Sequence, residues 1–138
     1  MGHIRRNQTT LTVILAAYDR LVEVGIGRRT DVAAALAERG CTVTATDIYE
    51  RDVPERVSFV RDDIVDPDPS LYADADAIYA QNLPPELHRP ACDVAREVDA
   101  DLLFTTLGGD QPAIPVERRT IETGTLYVSE RPGSGRDA

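Results

Sequence analysis

From Leu11 to Leu21 the apolar positions Leu11, Ile14, Leu15, Tyr18 and Leu21 recur at spacings of three and four. That rhythm predicts an amphipathic helix that packs on a sheet and binds nothing itself. Leu21-Val22-Glu23-Val24 then reads as a short buried strand ending at Gly25-Ile26-Gly27. Arg28 to Arg39, with Val32, Leu36 and interspersed alanines, suits a helix closed by Gly40. Cys41 to Asp47 is rich in β-branched residues and strand-like. Together they make a strand, helix, strand unit whose crossover is right-handed and whose strands are parallel.

The alternation continues downstream. Val57 to Val60, Ala77 to Ala80 and Leu102 to Thr105 each read as a strand preceded by an acidic or polar break. Asp66 to Tyr72 has room only for a turn or short helix, whereas Pro85 to Val98 holds a full one, with Leu87, Ala91, Val94 and Val98 on one stripe. Pro90 fits only in the first turn, which places the helix start near His88 or Arg89. Arg119 to Ile121 and Thr125 to Ser129, joined by Glu122-Thr123-Gly124, predict an antiparallel hairpin at one sheet edge. The expected architecture is α/β: a three-layer Rossmann-like domain over residues 1–129, with a mostly parallel sheet, helices on both faces and a shortened C-terminal part. Glu130 to Ala138 lacks an apolar anchor and is expected to be a disordered tail.

Composition narrows the solvent more than the ligand. All 15 basic residues are arginine, against 24 acids, of which Asp supplies 15, giving a net charge of −9. So dense a carboxylate surface resembles proteins of salt-loving archaea, where salt screens its self-repulsion. There is no basic footprint for nucleic acid, and the longest apolar run, Val13 to Ala17, is too short for a membrane span. A cytoplasmic location is expected. Cys41 and Cys92 stand fifty residues apart, and His3 and His88 are equally isolated, so no metal cluster or Cys/His catalytic pair is expected.

The chemistry concentrates at strand ends. Gly25 and Gly27 at a strand-to-helix turn let backbone approach a ligand, and Asp47, ending the next strand, suits two ribose hydroxyls. Glu23 is an acid inside an apolar strand and needs a partner: a ligand amine, the glycine-loop amides or an arginine. Asn82, after the fourth strand, lies where α/β sheets bind ligands. Arg28 and Arg29 at a helix N-terminus oppose its dipole and suggest a nearby acid or anion, with Asp31 as one candidate. His88 reads as a surface or first-turn residue rather than a base, Gly108-Gly109-Asp110 as a loop, and Tyr18 and Tyr127 as packing residues.

The segment Glu23-Val24-Gly25-Ile26-Gly27 resembles the first motif of class I S-adenosylmethionine-dependent methyltransferases, which places an acid two residues before the first glycine. Dinucleotide-binding domains are less similar, because that position is usually apolar in them. Phe59 to Ile64 resembles the third-strand motif of the methyltransferases, and the resemblance gives Asp63 the adenine amino group. Across Tyr18 to Ser129 the chain also looks like a small uncharacterised archaeal family of short Rossmann-like proteins, through Glu23 to Gly27, Asp47, Asp62-Asp63, Asn82 to Pro85 and Leu107 to Asp110. These resemblances imply an adenosyl cofactor, S-adenosylmethionine, held by Glu23, Gly25, Gly27, Asp47, Asp63 and Asn82. They also imply methyl transfer to a small substrate or one presented by a partner protein, with a homodimer as a further option. The alternatives are a non-catalytic nucleotide or adenosyl regulatory module, NAD-like in ligand, and a degenerate scaffold. On this reading, losing the Asp47 carboxylate abolishes binding with little loss of stability.

Overall fold

The computed structural model describes residues 9–131. Seven strands form one sheet: β1 (Arg20–Glu23), β2 (Thr42–Asp47), β3 (Ser58–Arg61), β4 (Ala77–Ala80), β5 (Asp101–Phe104), β6 (Glu117–Ile121) and β7 (Gly124–Ser129). Their spatial order is β3-β2-β1-β4-β5-β7-β6. The first five are parallel, with Leu21 in register with both Val43 and Ala77. The hairpin expected at one edge is present, and its second strand, β7, is inserted antiparallel between β5 and β6.

Because side chains alternate across a strand, the apolar strands feed two cores. On one face α1 (Thr10–Leu15) and α2 (Asp31–Glu38) bring Leu11, Leu15, Val32 and Leu36 against Val43, Leu103 and Leu126. On the other, α3 (His88–Val98) brings Ala91 and Val94 against Val22, Ile78, Leu102 and Phe104. The result is a three-layer α/β sandwich. No helix intervenes between β2 and β3 or between β5 and β6. No helix of the described residues is long and apolar enough to cross a membrane.

The helices end as their caps dictate. Beyond α2, Gly40 takes φ +95°, while its N–H reaches Ala37 O and that of Cys41 reaches Leu36 O, closing the last turn. The same bonding ends α3, but there Asp99 occupies the left-handed position with φ +60°. Because Asp tolerates this conformation less well than Gly, Asp99→Gly is expected to raise stability by about 0.5–1 kcal/mol. The denaturant midpoint measures it, and an unchanged or lowered midpoint contradicts the strain.

The structure shortens the first predicted helix. It ends at Leu15, and Leu21 belongs to β1, since a strand paired on both sides outbids one more helical turn: Asp19 O accepts from Thr42 N, and Arg20 N donates to Asp76 Oδ2 at 2.9 Å. Likewise α2 begins at Asp31 rather than Arg28, because residues 26–29 are used in a turn closed by Arg29 N on Ile26 O. His88 is the first residue of α3 but is fully buried rather than on the surface. Its Nε2 donates to Leu83 O at 2.9 Å and its Nδ1 accepts from Ala113 N at 3.0 Å, so it is a neutral strut joining two loops. Tyr18 also does more than pack, donating to Asp101 Oδ2 at 2.7 Å. Cys92 is buried and Cys41 half-buried. Arg131 N donates to Asp101 Oδ1 at 2.8 Å, so the first residues of the expected tail are held; residues 132–138 lie outside the described residues, as does His3.

Candidate functional site

Chain order runs β1, β2, β3 in one direction across the sheet and β4, β5 in the other, so the direction reverses between β1 and β4. At such a reversal the two loops leaving the strand ends diverge and open a crevice. Glu23 is the last residue of β1 and Asp47 of β2; Asp63 follows β3 by two residues and Asn82 follows β4 by two. All four therefore lie at the C-terminal ends of adjacent strands.

Glu23 is 1% exposed. Its Oε2 accepts from Gln81 Nε2 at 3.1 Å, across the reversal point. Its Oε1 and the Tyr79 hydroxyl are neighbours that interact electrostatically, but their geometry falls short of a well-formed hydrogen bond and neither has another partner. Burial pushes the Glu23 carboxyl up to about 7, against the opposing effect of Tyr79 and Gln81. Burial, and then the Glu23 charge, raise the Tyr79 hydroxyl well above its ordinary value. Of the partners the protein itself was expected to supply, neither the glycine-loop amides nor an arginine reaches Glu23; a glutamine holds it instead. Gln81 was not singled out from the sequence, although its place just past β4, beside β1, was the available signal.

Gly25 and Gly27 both take positive φ, +68° and +58°. At Gly27 this conformation turns the N–H onto Asp47 Oδ2 at 2.8 Å, while Tyr49 N donates to Asp47 Oδ1 at 3.0 Å. Arg51 Nε lies 3.4 Å from the same carboxylate. Asp47 thus fastens the glycine turn to the end of β2, which corrects the expectation that its loss costs little stability. Each carboxylate oxygen still has a second lone pair to offer.

Asp62 and Asp63 have separate duties. Asp62 accepts from the Tyr72 hydroxyl at 2.8 Å and from Asp68 N at 3.0 Å, a structural role. Asp63 is exposed, its side chain accepts from Val65 N and its backbone oxygen from Asp66 N, and it lines a shallow hollow of about 320 Å³ with Ile48, Arg61 and Asp62. Ile48 and the neighbouring Tyr49 leave 50% and 61% of their surface in water, an apolar pair beside this hollow. Asn82 is held in the left-handed region, φ +58°, by its N–H on Thr105 Oγ1 at 2.9 Å. Among the described residues Arg28 and Arg29 make no salt bridge, and no group of His, Cys, Asp or Glu is placed to hold a metal ion.

A second, larger cavity of about 970 Å³ opens beyond Gln81 and Asn82, bounded by α1, α2, the segment after β5 and the β6–β7 turn. Thr9, Leu11 and Thr12 line it, so the first helix contributes to a cavity, contrary to the expectation that it only packs. Glu122 in the β6–β7 turn accepts from Thr10 N at 3.0 Å and from Thr10 Oγ1 at 2.8 Å, tying the hairpin to the start of α1.

Strand order and the antiparallel seventh strand define a Rossmann-like fold of the kind seen in methyltransferases. An RNA methyltransferase from Salinibacter ruber, in complex with S-adenosyl-L-homocysteine, superposes with a TM-score of 0.61 at 16% identity, covering 93% of this chain and 92% of that one. The antibiotic-resistance methyltransferase Kmr gives 0.57 at 14% identity, covering 83% and 87%. Likeness at this identity establishes the fold alone. The chain belongs to the uncharacterised protein family UPF0146, whose model matches residues 6–131. A UPF0146 protein of Halobacterium salinarum is 58% identical over 121 residues, covering 87% of this chain and 94% of the relative. One from Archaeoglobus fulgidus is 47% identical over 91 residues, covering 66% and 70%. The family is therefore archaeal in these members and includes a haloarchaeal one, in keeping with the lysine-free, acidic composition.

Proposed function

We propose that this chain binds S-adenosylmethionine in the crevice at the β1/β4 reversal and is a methyltransferase-like protein acting on a small or partner-presented substrate. The observation that carries the reading is the Glu23 carboxyl: wholly buried, with Oε1 unpaired. A buried carboxylate without a full set of donors is costly, and a ligand ammonium supplies both the charge and the missing bonds. The other residues fit the same ligand. Gly25 and Gly27 present backbone without side chains, Asp47 keeps lone pairs for ribose hydroxyls, and Asp63 beside Ile48 and Tyr49 offers an acceptor and apolar cover to adenine. Asn82 faces the cavity beyond. Such a cofactor supplies a methyl group on a sulfonium, activated toward a nucleophile; the chain's own part is to orient it and exclude water.

A non-catalytic adenosyl-binding module is the second reading. It draws on the bare loops at 48–57 and 105–116, which offer no helix for recognising a substrate.

Titration calorimetry in molar KCl with S-adenosylmethionine, S-adenosylhomocysteine, NAD and ATP tests both. Micromolar binding of the two adenosyl-sulfur compounds alone is expected, and a preference for NAD or ATP overturns the cofactor. The free Glu23 carboxyl is about half protonated at pH 7 and ionises against a bound ammonium. Binding at that pH should therefore release roughly half a proton, read as a dependence of the heat on the buffer's ionisation enthalpy. A buffer-independent heat removes Glu23 from the cofactor's ammonium.

A further inference from the structure

The larger cavity is a different environment from the crevice of strand-end acids. Of the six candidate cofactor residues only Asn82 lines it. Its volume, about 970 Å³, is that of a small-molecule site. What distinguishes its wall is hydroxyl: Thr9, Thr12, Thr105, Thr106, Thr123 and Thr125 reach it from three separate parts of the chain. These are half of the twelve threonines in the sequence. Four already have a local task for their oxygen: Thr9 and Thr12 share a hydroxyl–hydroxyl bond at 3.2 Å, Thr9 Oγ1 also accepts from Thr12 N, Thr105 Oγ1 accepts from Asn82 N, and Thr106 Oγ1 donates to Asp110 O. Accepting one bond leaves a hydroxyl proton to give, so Thr105 keeps a donor for a guest and the Thr9–Thr12 pair keeps one between them.

We propose that this cavity is the substrate pocket of the protein and takes a small, uncharged, hydroxyl-rich molecule of sugar or polyol type. The proposal rests on the adenosyl reading for the word substrate, but the pocket's ligand chemistry stands on its walls alone. A threonine side chain offers one methyl and one hydroxyl that both gives and accepts, matching the mixed C–H and O–H faces of a polyol. Leu11, Val32 and Ile121 supply the apolar floor. Charge recognition is a poor alternative. In molar salt the screening length is only about 3 Å, whereas hydrogen bonds between neutral groups keep their geometry and strength. Nor does the wall offer an anion a set of donors, since Asp31, Glu38 and Glu122 stand there with a single arginine, Arg29.

The test is amide NMR in molar KCl, with and without saturating S-adenosylhomocysteine, titrating methyl α-glucopyranoside, spermidine and AMP. Saturable shifts of the Thr105, Thr123 and Thr125 amides are expected with the glucoside and not with spermidine or AMP. In T123V/T125V, which keeps β-branched shape, the glucoside should bind at least about fivefold more weakly while S-adenosylhomocysteine affinity is unchanged. Response to spermidine or AMP instead overturns the ligand class. No response to any of the three, or equal glucoside affinity in the double variant, overturns the pocket. If S-adenosylhomocysteine itself shifts these amides and the glucoside does not, the cavity belongs to the cofactor and the proposal fails. Glucoside binding by a protein that ignores S-adenosylhomocysteine keeps the pocket and removes the cofactor reading.

Discussion

Replacing Glu23 by Gln is expected to stabilise the ligand-free protein, and to do so more as pH rises. The folded carboxyl titrates near 7 against 4.5 when unfolded, so between those values the folded state holds more protons than the unfolded one. Stability therefore falls as pH rises through that window, and above it the ionised, buried carboxylate costs about 3 kcal/mol. Glutamine keeps the shape and one acceptor and never ionises. The variant's advantage should grow by about 2 kcal/mol between pH 5.5 and 8.5, or roughly 6 °C in Tm for a chain of this size. Comparing the two proteins at each pH cancels the titration of the many surface acids. Parallel curves would mean that Glu23 is solvated or paired when folded. On the adenosyl reading the same variant loses affinity for the cofactor, so stability and binding move in opposite directions.

Asp47 is expected to behave differently, because its carboxylate has work to do in the empty fold. Asp47→Ala leaves the Gly27 and Tyr49 N–H groups without their acceptor and should cost about 2 kcal/mol in stability. Asp47→Asn keeps one acceptor oxygen and should cost about 1 kcal/mol or less. Both should lower S-adenosylhomocysteine affinity, the alanine variant by about a hundredfold or more, since a charged acceptor to two hydroxyls is lost. Denaturant midpoints and calorimetry on the same preparations separate the two effects. Unchanged affinity in a folded Asp47→Asn protein would leave Asp47 as a fastener of the glycine turn and nothing more.

The strands were legible because they are the chain's apolar runs, and the parallel pairing because β1, α2 and β2 follow within one crossover length. What the local pattern missed are competitions decided by distant residues. The helical spacing of Leu11 to Leu15 runs on to Tyr18, yet the helix stops at Leu15 because the chain turns to enter β1 between β2 and β4. His88 looks like an ordinary polar residue in a helix's first turn, and only the loops carrying Leu83 and Ala113 bury it. At the site, the oddity of Glu23 was visible in the sequence because an acid interrupts an apolar run. Its partner Gln81 was not, since that contact spans fifty-eight residues and depends on β1 lying beside β4. The threonine-lined cavity was equally hidden, its walls being scattered from Thr9 to Thr125.

The place of β7 has a consequence for how the molecule is made. The last strand among the described residues is an interior strand of the sheet, with Leu126, Tyr127 and Val128 all buried. A nascent chain synthesised as far as Ile121 has every parallel strand but still exposes the whole hydrogen-bonding edge of β5, an invitation to pair with other chains. That edge is closed only once Gly124 to Ser129 is present, so a chain cut after Ile121 should aggregate rather than behave as a slightly shorter protein.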